Sequence, residues 1–551
     1  MKKKLLAILL AAAMVTGLAA CGNGDSTTST NTSSSVTKES TADAGTEDAG
    51  DTDSQAAIDT SEHVVITYMT TGDKPTGDVA ATMDAMLEEL NAILTEKVNA
   101  EIEIYHIPWT DYLTNYNLTL ARMDGSVDLV GTASDWLDAW PNSKNGAFLE
   151  LSEEMLKTYA PLTWATVPAD NWELCKYEGE IYLMPEDNYA QWVNHGFSYR
   201  LDWAQEAGLT NGVHSWADMT EYFRWVKENV DGIQIPWDSD GTGQGTLVGG
   251  YIASNTNYVS IDGISASAMW GGTKDDLYTI YSPYVTETDL LVEFAEMMKE
   301  WDQIGVWKTD VLNNTTSTNR DDYRVGLVAA EQHHTQTWGD LVSRTVANKI
   351  YETDPDAETG FFYFGEESKN VVAMSITHGA MAISAGSKNP ERALMVYDLL
   401  RNDLECYLLF CYGQQGVSWD LNDEGMRITP EGYNSDTQNV NGMTNYWWGR
   451  NDDIDIRDAT RNWDAIDALY EEYDSMKIEY PYGQFVAEVD SIEAQIKNIS
   501  EIHTNYMKQI AYGKYSGTAE DIVAEYQAAI KAAGIDDVTA ELQRQFDELY
   551  K

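Results

Sequence analysis

A regular alternation of strand-like and helix-like segments near the start of the folded body constrains the architecture most strongly. Three runs of β-branched and aromatic residues alternate with two runs of apolar residues at helical spacing, over 63–69, 78–98, 100–107, 110–123 and 127–130. This order predicts a parallel sheet with helices on both faces. Ligands bind beyond the carboxyl ends of the strands in such sheets, so a site is expected in the loops after Met69, Ile107 and Val130.

The body is too long for one hydrophobic core and predicts two lobes. Residues 61–185 and about 371–425 are assigned to lobe 1. Residues 186–370 are assigned to lobe 2, together with parts of 426–551, where long amphipathic helices are expected over about 485–549. A chain that passes between lobes more than once forms a hinge, with a ligand cleft between the lobes.

The first 20 residues have the features of a signal peptide. Lys2, Lys3 and Lys4 precede an apolar run over 5–18 that is too short to span a bilayer, and small residues follow. Leu18-Ala-Ala-Cys21 resembles the bacterial lipobox, which implies cleavage before Cys21 and lipidation of its thiol, with palmitate among the acyl chains. An ordinary signal peptide with a chance cysteine is the alternative.

Residues 21–60 predict a solvated tether, because the stretch lacks aromatic residues and has almost no large apolar side chain to bury. The net charge of −55 argues against nucleic acid and anionic lipid surfaces as partners. The lipid on Cys21 would therefore hold the protein unaided at the outer face of the cytoplasmic membrane.

The remaining cysteines and histidines do not form a metal motif. Cys175, Cys406 and Cys411 match no zinc template and predict buried thiols, with a Cys406–Cys411 bridge as the alternative. The adjacent His333 and His334 have no third ligand at motif spacing. Residues 420–431 approach the spacing of an EF-hand loop, but Pro430 favours a β-hairpin. No metal and no cofactor are predicted.

Several motifs occur in one order along the body: Val127 to Trp136, Glu178-Gly-Glu-Ile-Tyr-Leu-Met-Pro185, Tyr199-Arg-Leu-Asp202, Lys388-Asn-Pro-Glu-Arg-Ala393, Tyr412-Gly-Gln-Gln-Gly-Val417 and Met476 to Phe546. Together they resemble the extracellular solute-binding proteins of carbohydrate ABC transporters, in a Gram-positive branch with a helical C-terminal region. The resemblance implies an α/β, two-lobed, periplasmic-binding-protein-like fold of type II, with a cleft between the lobes and extra C-terminal helices. It also implies a monomer that delivers a mono- or oligosaccharide to permease subunits by lobe closure, without catalysis.

The aromatic composition suits a carbohydrate ligand. The chain has 18 Trp and 32 Tyr but 10 Phe, and sugars are bound by aromatic faces together with polar groups that can hydrogen-bond to hydroxyls. The candidate contacts are Trp109, Asp135, Trp136, Glu186, Gln191, Trp192, Gln332, His333, Trp338, Trp447 and Trp448. Packing in the core is the alternative for each, and it is the expectation for Trp216, Trp225 and Trp301.

Two other functions remain open at this point. The same fold could bind a peptide or another polar solute. A surface glycoside hydrolase is the second alternative, because its two carboxylates can lie far apart in the sequence. No nucleophile elbow, phosphate-binding loop or zinc-protease motif occurs in the chain.

Overall fold

The computed structural model describes residues 58–187, 194–239, 241–264, 268–314, 319–440 and 446–550, apart from the side chains of Tyr446 and Trp447. Residues 1–57, with the predicted signal peptide, Cys21 and most of the tether, lie outside the described residues. So do Gln191 and Trp192. From Asp59 onward the chain clusters into one unit. No helix in the described part of the chain has the length and apolarity of a membrane span.

The elements alternate between strands and helices in the first half, and helices predominate in the second. The strands are β1 (Val64–Thr71), β2 (Ala100–Ile107), β3 (Leu129–Thr132), β4 (Lys176–Tyr177), β5 (Glu180–Ile181), β6 (Met184–Pro185), β7 (His195–Arg200), β8 (Tyr258–Ser260), β9 (Gly271–Thr273), β10 (Asp276–Tyr281), β11 (Ala330–His334), β12 (Thr359–Tyr363), β13 (Val372–Ala373), β14 (Ala380–Ile383), β15 (Asp420–Leu421), β16 (Arg427–Ile428) and β17 (Ile478–Glu479). The helices are α1 (Asp78–Val98), α2 (Tyr112–Ala121), α3 (Ala139–Lys144), α4 (Glu153–Tyr159), α5 (Pro161–Thr166), α6 (Ala169–Leu174), α7 (Leu201–Glu206), α8 (Trp216–Asn229), α9 (Gln244–Asn255), α10 (Pro283–Thr286), α11 (Thr288–Ile304), α12 (Asn319–Arg324), α13 (Thr335–Leu341), α14 (Ile350–Thr353), α15 (Pro390–Asn402), α16 (Leu404–Tyr412), α17 (Ser435–Gln438), α18 (Trp463–Met476), α19 (Glu493–Ile510), α20 (Ala519–Ala532) and α21 (Ile535–Tyr550).

Helix α1 shows how local sequence produces these elements. Its apolar residues fall three or four apart and are buried, as at Met86, Leu90 and Leu94. The helix ends at Asn99, whose left-handed backbone (φ 49°) lets its N–H donate to the carbonyl of Thr95. Helix α1 and strand β2 have the predicted bounds, whereas α2 is shorter than the predicted helix over 110–123.

The first lobe is built on a five-stranded sheet in the order β2-β1-β3-β14-β6. Strand β1 pairs in parallel with both β2 and β3, which confirms the predicted parallel core. Strand β14 comes from much later in the chain and runs antiparallel between β3 and β6. All four residues of β3 and of β14 are buried, as expected for a sheet covered on both faces.

The two lobes have separate hydrophobic cores. The core of the first lobe takes its residues from the five-stranded sheet and from α1, α15 and α16. The core of the second lobe surrounds the sheets β11-β7-β12 and β10-β9-β8 and includes residues of the three C-terminal helices α19, α20 and α21. Trp216 and Trp301 are buried there and Trp225 packs against it, as predicted for all three.

The chain passes between the cores three times. Met184 belongs to the first core and Phe197 to the second. The chain returns between Phe364 and Ala380, and crosses again between Trp448 and Tyr482. Val440 and Trp448 lie in the first core, later in the chain than the boundary expected near residue 425. Three crossings are the arrangement on which a hinge between lobes depends.

Two smaller predictions concern possible metal or disulfide chemistry. Strands β15 and β16 pair as a hairpin where the EF-hand-like spacing occurs, which confirms the hairpin interpretation. Cys175, Cys406 and Cys411 are buried free thiols, also as predicted.

Candidate ligand-binding site

A cavity of about 1040 Å³ lies where residues of both lobes and of the crossings meet. The first lobe contributes Trp109, Asp135 and Trp136, and the second contributes His195 and His334. The crossing segments contribute Met374, His378 and several residues between 450 and 463. This volume is at the upper end of the range of about 300–1,000 Å³ that is typical of small-molecule sites.

An aromatic shelf, formed by Trp109, Tyr112, Trp136 and Trp448, lies on the first-lobe side of the cavity. The rings of Trp109 and Trp136 stack with centroids 6.0 Å apart, and Trp136 packs on Trp448 at 5.6 Å. Trp109 is 47% exposed, whereas Trp448 is fully buried and donates its indole N–H to Thr70 Oγ1 at 3.2 Å. Trp448 therefore supports the shelf from behind, while Trp109 and Trp136 line the cavity.

The sheet explains why these residues meet. Trp109 follows the end of β2, and Asp135 and Trp136 follow the end of β3. Both strands run parallel to β1, so their carboxyl ends reach the same edge of the sheet. This is the edge at which the strand pattern predicts ligand contacts.

Asp135 forms an ion pair with His378, with 3.0 Å between Oδ1 and Nδ1. His378 ends a short helical turn (Ile376–His378) just before β14. Burial alone would lower the pKa of His378, but the charge of Asp135 and its hydrogen bond outweigh burial, and the pKa is raised. The pair presents a carboxylate and an imidazole side by side in the cavity.

Glu186 lies beneath this pair and does not line the cavity. The residue is 2% exposed, and its backbone N–H donates to Gly379 O at 3.0 Å. Neither of its carboxyl oxygens has a hydrogen-bond partner in the described part of the chain. Burial raises the pKa of Glu186 to about 8, against the opposing effects of His378, Arg450 and Arg401. The carboxyl group is therefore neutral over most of the physiological range.

A charged wall of alternating arginines and aspartates covers another side of the cavity. Arg450 pairs with Asp455 at 3.0 Å, and Arg427 pairs with Asp458 at 3.3 Å. The guanidinium of Arg427 also lies 3.9 Å from the ring centroid of Tyr412. Sequence reasoning missed this wall, although the run of Arg and Asp from 450 to 461 was a possible signal in so acidic a chain.

The candidates from the second lobe do not line the cavity themselves. Gln332 Nε2 lies 2.9 Å from His195 Nδ1, and His333 Nδ1 lies 3.0 Å from Thr337 Oγ1. Trp338 is buried and stacks on Phe361 with centroids 5.5 Å apart. The side chain of Trp447 is outside the described residues.

His195, His333 and His334 form a cluster of neutral rings. Burial lowers the pKa of His195 to about 4 and, together with the charge of Arg320, that of His333 to about 3. Within the described ranges, no group of three or more His, Cys, Asp or Glu residues could hold a metal ion.

The sequence profile of bacterial extracellular solute-binding proteins matches residues 73–401, which is more than half of the chain. The chain belongs to this family. A second profile, of a domain of unknown function, matches residues 481–551. The chain is also 23% identical to a carbohydrate ABC transporter substrate-binding protein of Streptococcus pneumoniae, over 100% of this chain and 99% of the relative.

Solved structures show the same type II solute-binding fold. The N-glycan transport solute-binding protein NgtS of Streptococcus pneumoniae, crystallised with Man1GlcNAc, superposes with a TM-score of 0.63 at 18% identity. The alignment covers 88% of this chain and 99% of NgtS. A human-milk-oligosaccharide-binding protein of Bifidobacterium longum infantis gives a TM-score of 0.61 at 13% identity, over 89% of this chain and 99% of the other.

The buried carboxyl group of Glu186 predicts a pH dependence of stability. Folding raises the pKa of this carboxyl group, so its protonated form stabilises the folded protein. The contribution is complete at pH values below the ordinary pKa of about 4.5 and is lost as the pH rises towards about 8. Between pH 5.5 and 8, the wild type should lose about 3 kcal/mol more unfolding free energy than Glu186→Gln. Urea denaturation at both pH values measures the difference. Glu431→Gln, at an exposed carboxylate, is the control. Identical pH dependence in wild type and Glu186→Gln would contradict the assignment.

Proposed function

We propose that this solute-binding protein captures an oligosaccharide in the cleft between its lobes and presents it to the permease of an ABC importer. The observation that carries the proposal is the Trp109–Trp136 stack, which lines the cavity beside the Asp135–His378 ion pair. A pyranose has an apolar face of C–H groups and a rim of hydroxyls. The stacked rings offer a surface for the face, and the ion pair offers hydrogen-bonding groups for the rim.

The cavity volume supports an oligosaccharide rather than a monosaccharide, because about 1040 Å³ exceeds the space that a single sugar ring fills. The ligands of structurally similar proteins also support an oligosaccharide. NgtS has been crystallised with Man5GlcNAc as well as with Man1GlcNAc, and another structural neighbour is a chitin oligosaccharide binding protein. These ligands belong to those proteins, and they define the class to test first.

The ion pairs of the cavity support capture without catalysis. Asp135 pairs with His378, Asp458 with Arg427 and Asp340 with Arg324, and Arg450 holds Asp452 and Asp455. A glycosidase needs one carboxyl group that donates a proton and a second that attacks or activates water. Carboxylates held by cations in this way are suited to accepting hydrogen bonds from sugar hydroxyls.

We further propose that Cys21 carries the lipid anchor and that the acidic stretch up to residue 57 tethers the body above the membrane. The lipobox-like Leu18-Ala-Ala-Cys21 and the polar composition that follows it support this arrangement. A monomer anchored in this way could meet a membrane-embedded permease repeatedly at high effective concentration.

Removing the Cys21 thiol tests the anchor. Cys21→Ser should move the protein from the membrane fraction to the medium and abolish incorporation of labelled palmitate, because the thioether can no longer form. Ser26→Ala, in the adjoining tether, should keep wild-type fractionation. Retention of Cys21→Ser in the membrane with unchanged labelling would rule out this cysteine as the lipidation site.

Removing the exposed indole tests the sugar platform. Trp109→Ala should lower the affinity for the captured oligosaccharide by about tenfold or more, because a stacking surface is lost. The free energy of unfolding should change by less than about 1 kcal/mol, since Trp109 is 47% exposed. Isothermal titration calorimetry measures the affinity. Leu327→Ala, at a 61% exposed position in the second lobe, is the control and should bind as the wild type does. Unchanged affinity in Trp109→Ala would contradict the platform.

A further inference from the structure

A second cavity, of about 580 Å³, lies on the second-lobe side of the cleft. Its walls come from the start of helix α9, from strand β8 and from Asn194, Asn370 and His503. His195 and Met374 line both this second cavity and the larger one, so the two adjoin at these side chains. A ligand in the larger cavity would have to pass these two side chains to enter the second one.

The second cavity is surrounded by polar atoms that have no hydrogen-bond partner. These buried atoms, in the described part of the chain, are Asn194 Nδ2, Gln244 Oε1, Asn370 Oδ1 and His503 Nε2. Buried polar groups in folded proteins are nearly always hydrogen-bonded, and a cluster of exceptions around one space needs an explanation. These atoms include both hydrogen-bond donors and acceptors. A sugar hydroxyl group can donate to one and accept from the other.

Neighbouring contacts fix the orientation of two of these groups. Asn370 Nδ2 donates to the carbonyls of Tyr258 at 2.8 Å and Thr256 at 3.1 Å, which orients its oxygen. His503 Nδ1 lies 2.9 Å from the hydroxyl of Tyr526, which leaves the other ring nitrogen available. Both side chains are more than nine-tenths buried. They are held in place before a ligand arrives, which lowers the entropic cost of binding.

The charge of the second cavity differs from that of the charged wall. Its described lining contains neither lysine nor arginine, and its acidic side chain is Asp262, whose pKa is raised by burial to about 7. Burying an anionic group beside Asp262 without a cation would be strongly unfavourable. The lining therefore suits a neutral, hydroxyl-rich group and disfavours uronate or sialate.

Glycines open the wall that belongs to helix α9. Gly245 and Gly249 line the second cavity, and a Cβ atom at Gly245 would meet no other atom within 4 Å. A larger side chain at residue 245 would thus project into free space rather than into the core. Glycine also has a lower helix propensity than the residues that could replace it, so substitution there should not weaken the helix.

We propose that the second cavity binds the neutral terminal unit of the oligosaccharide whose other units stack on the aromatic shelf. This proposal rests on the proposed function. The shelf belongs to the first lobe and the second cavity to the second lobe, so only a ligand long enough to reach both can hold the lobes together. The second cavity would thus select for both length and a neutral terminus.

Capture from a defined glycan mixture tests the proposal. The mixture contains equal amounts of Man1GlcNAc, Man5GlcNAc, chitin oligosaccharides of two and of six units, and sialylated counterparts of the longer glycans. The full-length protein is equilibrated with it, and bound glycans are identified by mass spectrometry. The wild type should retain the long neutral members. Gly245→Phe should capture about tenfold less of these long members. Its capture of short members of the same sugar type should stay within about twofold of the wild-type amount.

Two further variants control for folding and for hydrogen bonding. Leu327→Phe adds a phenyl ring at a 61% exposed position that lines neither cavity, and it should capture as the wild type does. Gln244→Met keeps the side-chain length but removes the unpartnered oxygen, and it should lose long neutral members several-fold. Thermal unfolding of each variant shows whether the fold is kept.

The outcomes separate this inference from the proposed function. Capture of long glycans by Gly245→Phe at the wild-type level would overturn the role of the second cavity and leave sugar binding intact. An equal loss of short and long glycans, or wild-type capture of sialylated members as well as neutral ones, would also overturn it. If the wild type retains no glycan at all, the proposed function fails, and the role of the second cavity fails with it.

Discussion

The return of the chain from the second lobe to the first, at residues 374–383, is the constraint on which the site depends. Its last part is strand β14, held antiparallel between β3 and β6. Before the strand begins, the carbonyl of Thr377 accepts a hydrogen bond from Ser134 N at 3.0 Å, and the carbonyl of Gly379 accepts one from Glu186 N at 3.0 Å. The returning segment therefore ties the loop after β3 to the first crossing. It also places His378 beside Asp135.

The electrostatics of the cleft follow from that arrangement. A chain with a net charge of −55 would be expected to present an acidic cleft, yet the described carboxylates of the larger cavity pair with arginines or with His378. Glu186 beneath them is kept neutral by burial, which raises its pKa to about 8. A locally balanced site can hydrogen-bond to hydroxyls without the cost of burying an unpaired charge.

Much of the first lobe could be predicted from the sequence, because its elements depend on local patterns. Helix α1 and the strands around it follow from apolar spacing, and the loops after β2 and β3 hold Trp109, Asp135 and Trp136 at the cavity. Two other candidates lie deeper than expected. Trp448 packs behind Trp136, and Glu186 is covered by the return crossing.

The parts of the site that sequence patterns did not predict depend on contacts between distant segments. The pairing of Asp135 with His378, the charged wall from 450 to 463 and the polar second cavity each join segments that lie far apart in the chain. No local spacing encodes such contacts. The second cavity could not be predicted for a further reason: glycines form part of its wall, and a glycine has no side chain that would indicate a binding site.

A crystal structure of the protein with a long neutral oligosaccharide such as Man5GlcNAc would test the central claim most directly. The account predicts one sugar ring stacked on Trp109 or Trp136, hydroxyls bonded to Asp135 and His378, and both lobes in contact with the same ligand molecule. A sugar bound on one lobe alone, away from the Trp109–Trp136 stack, would contradict it.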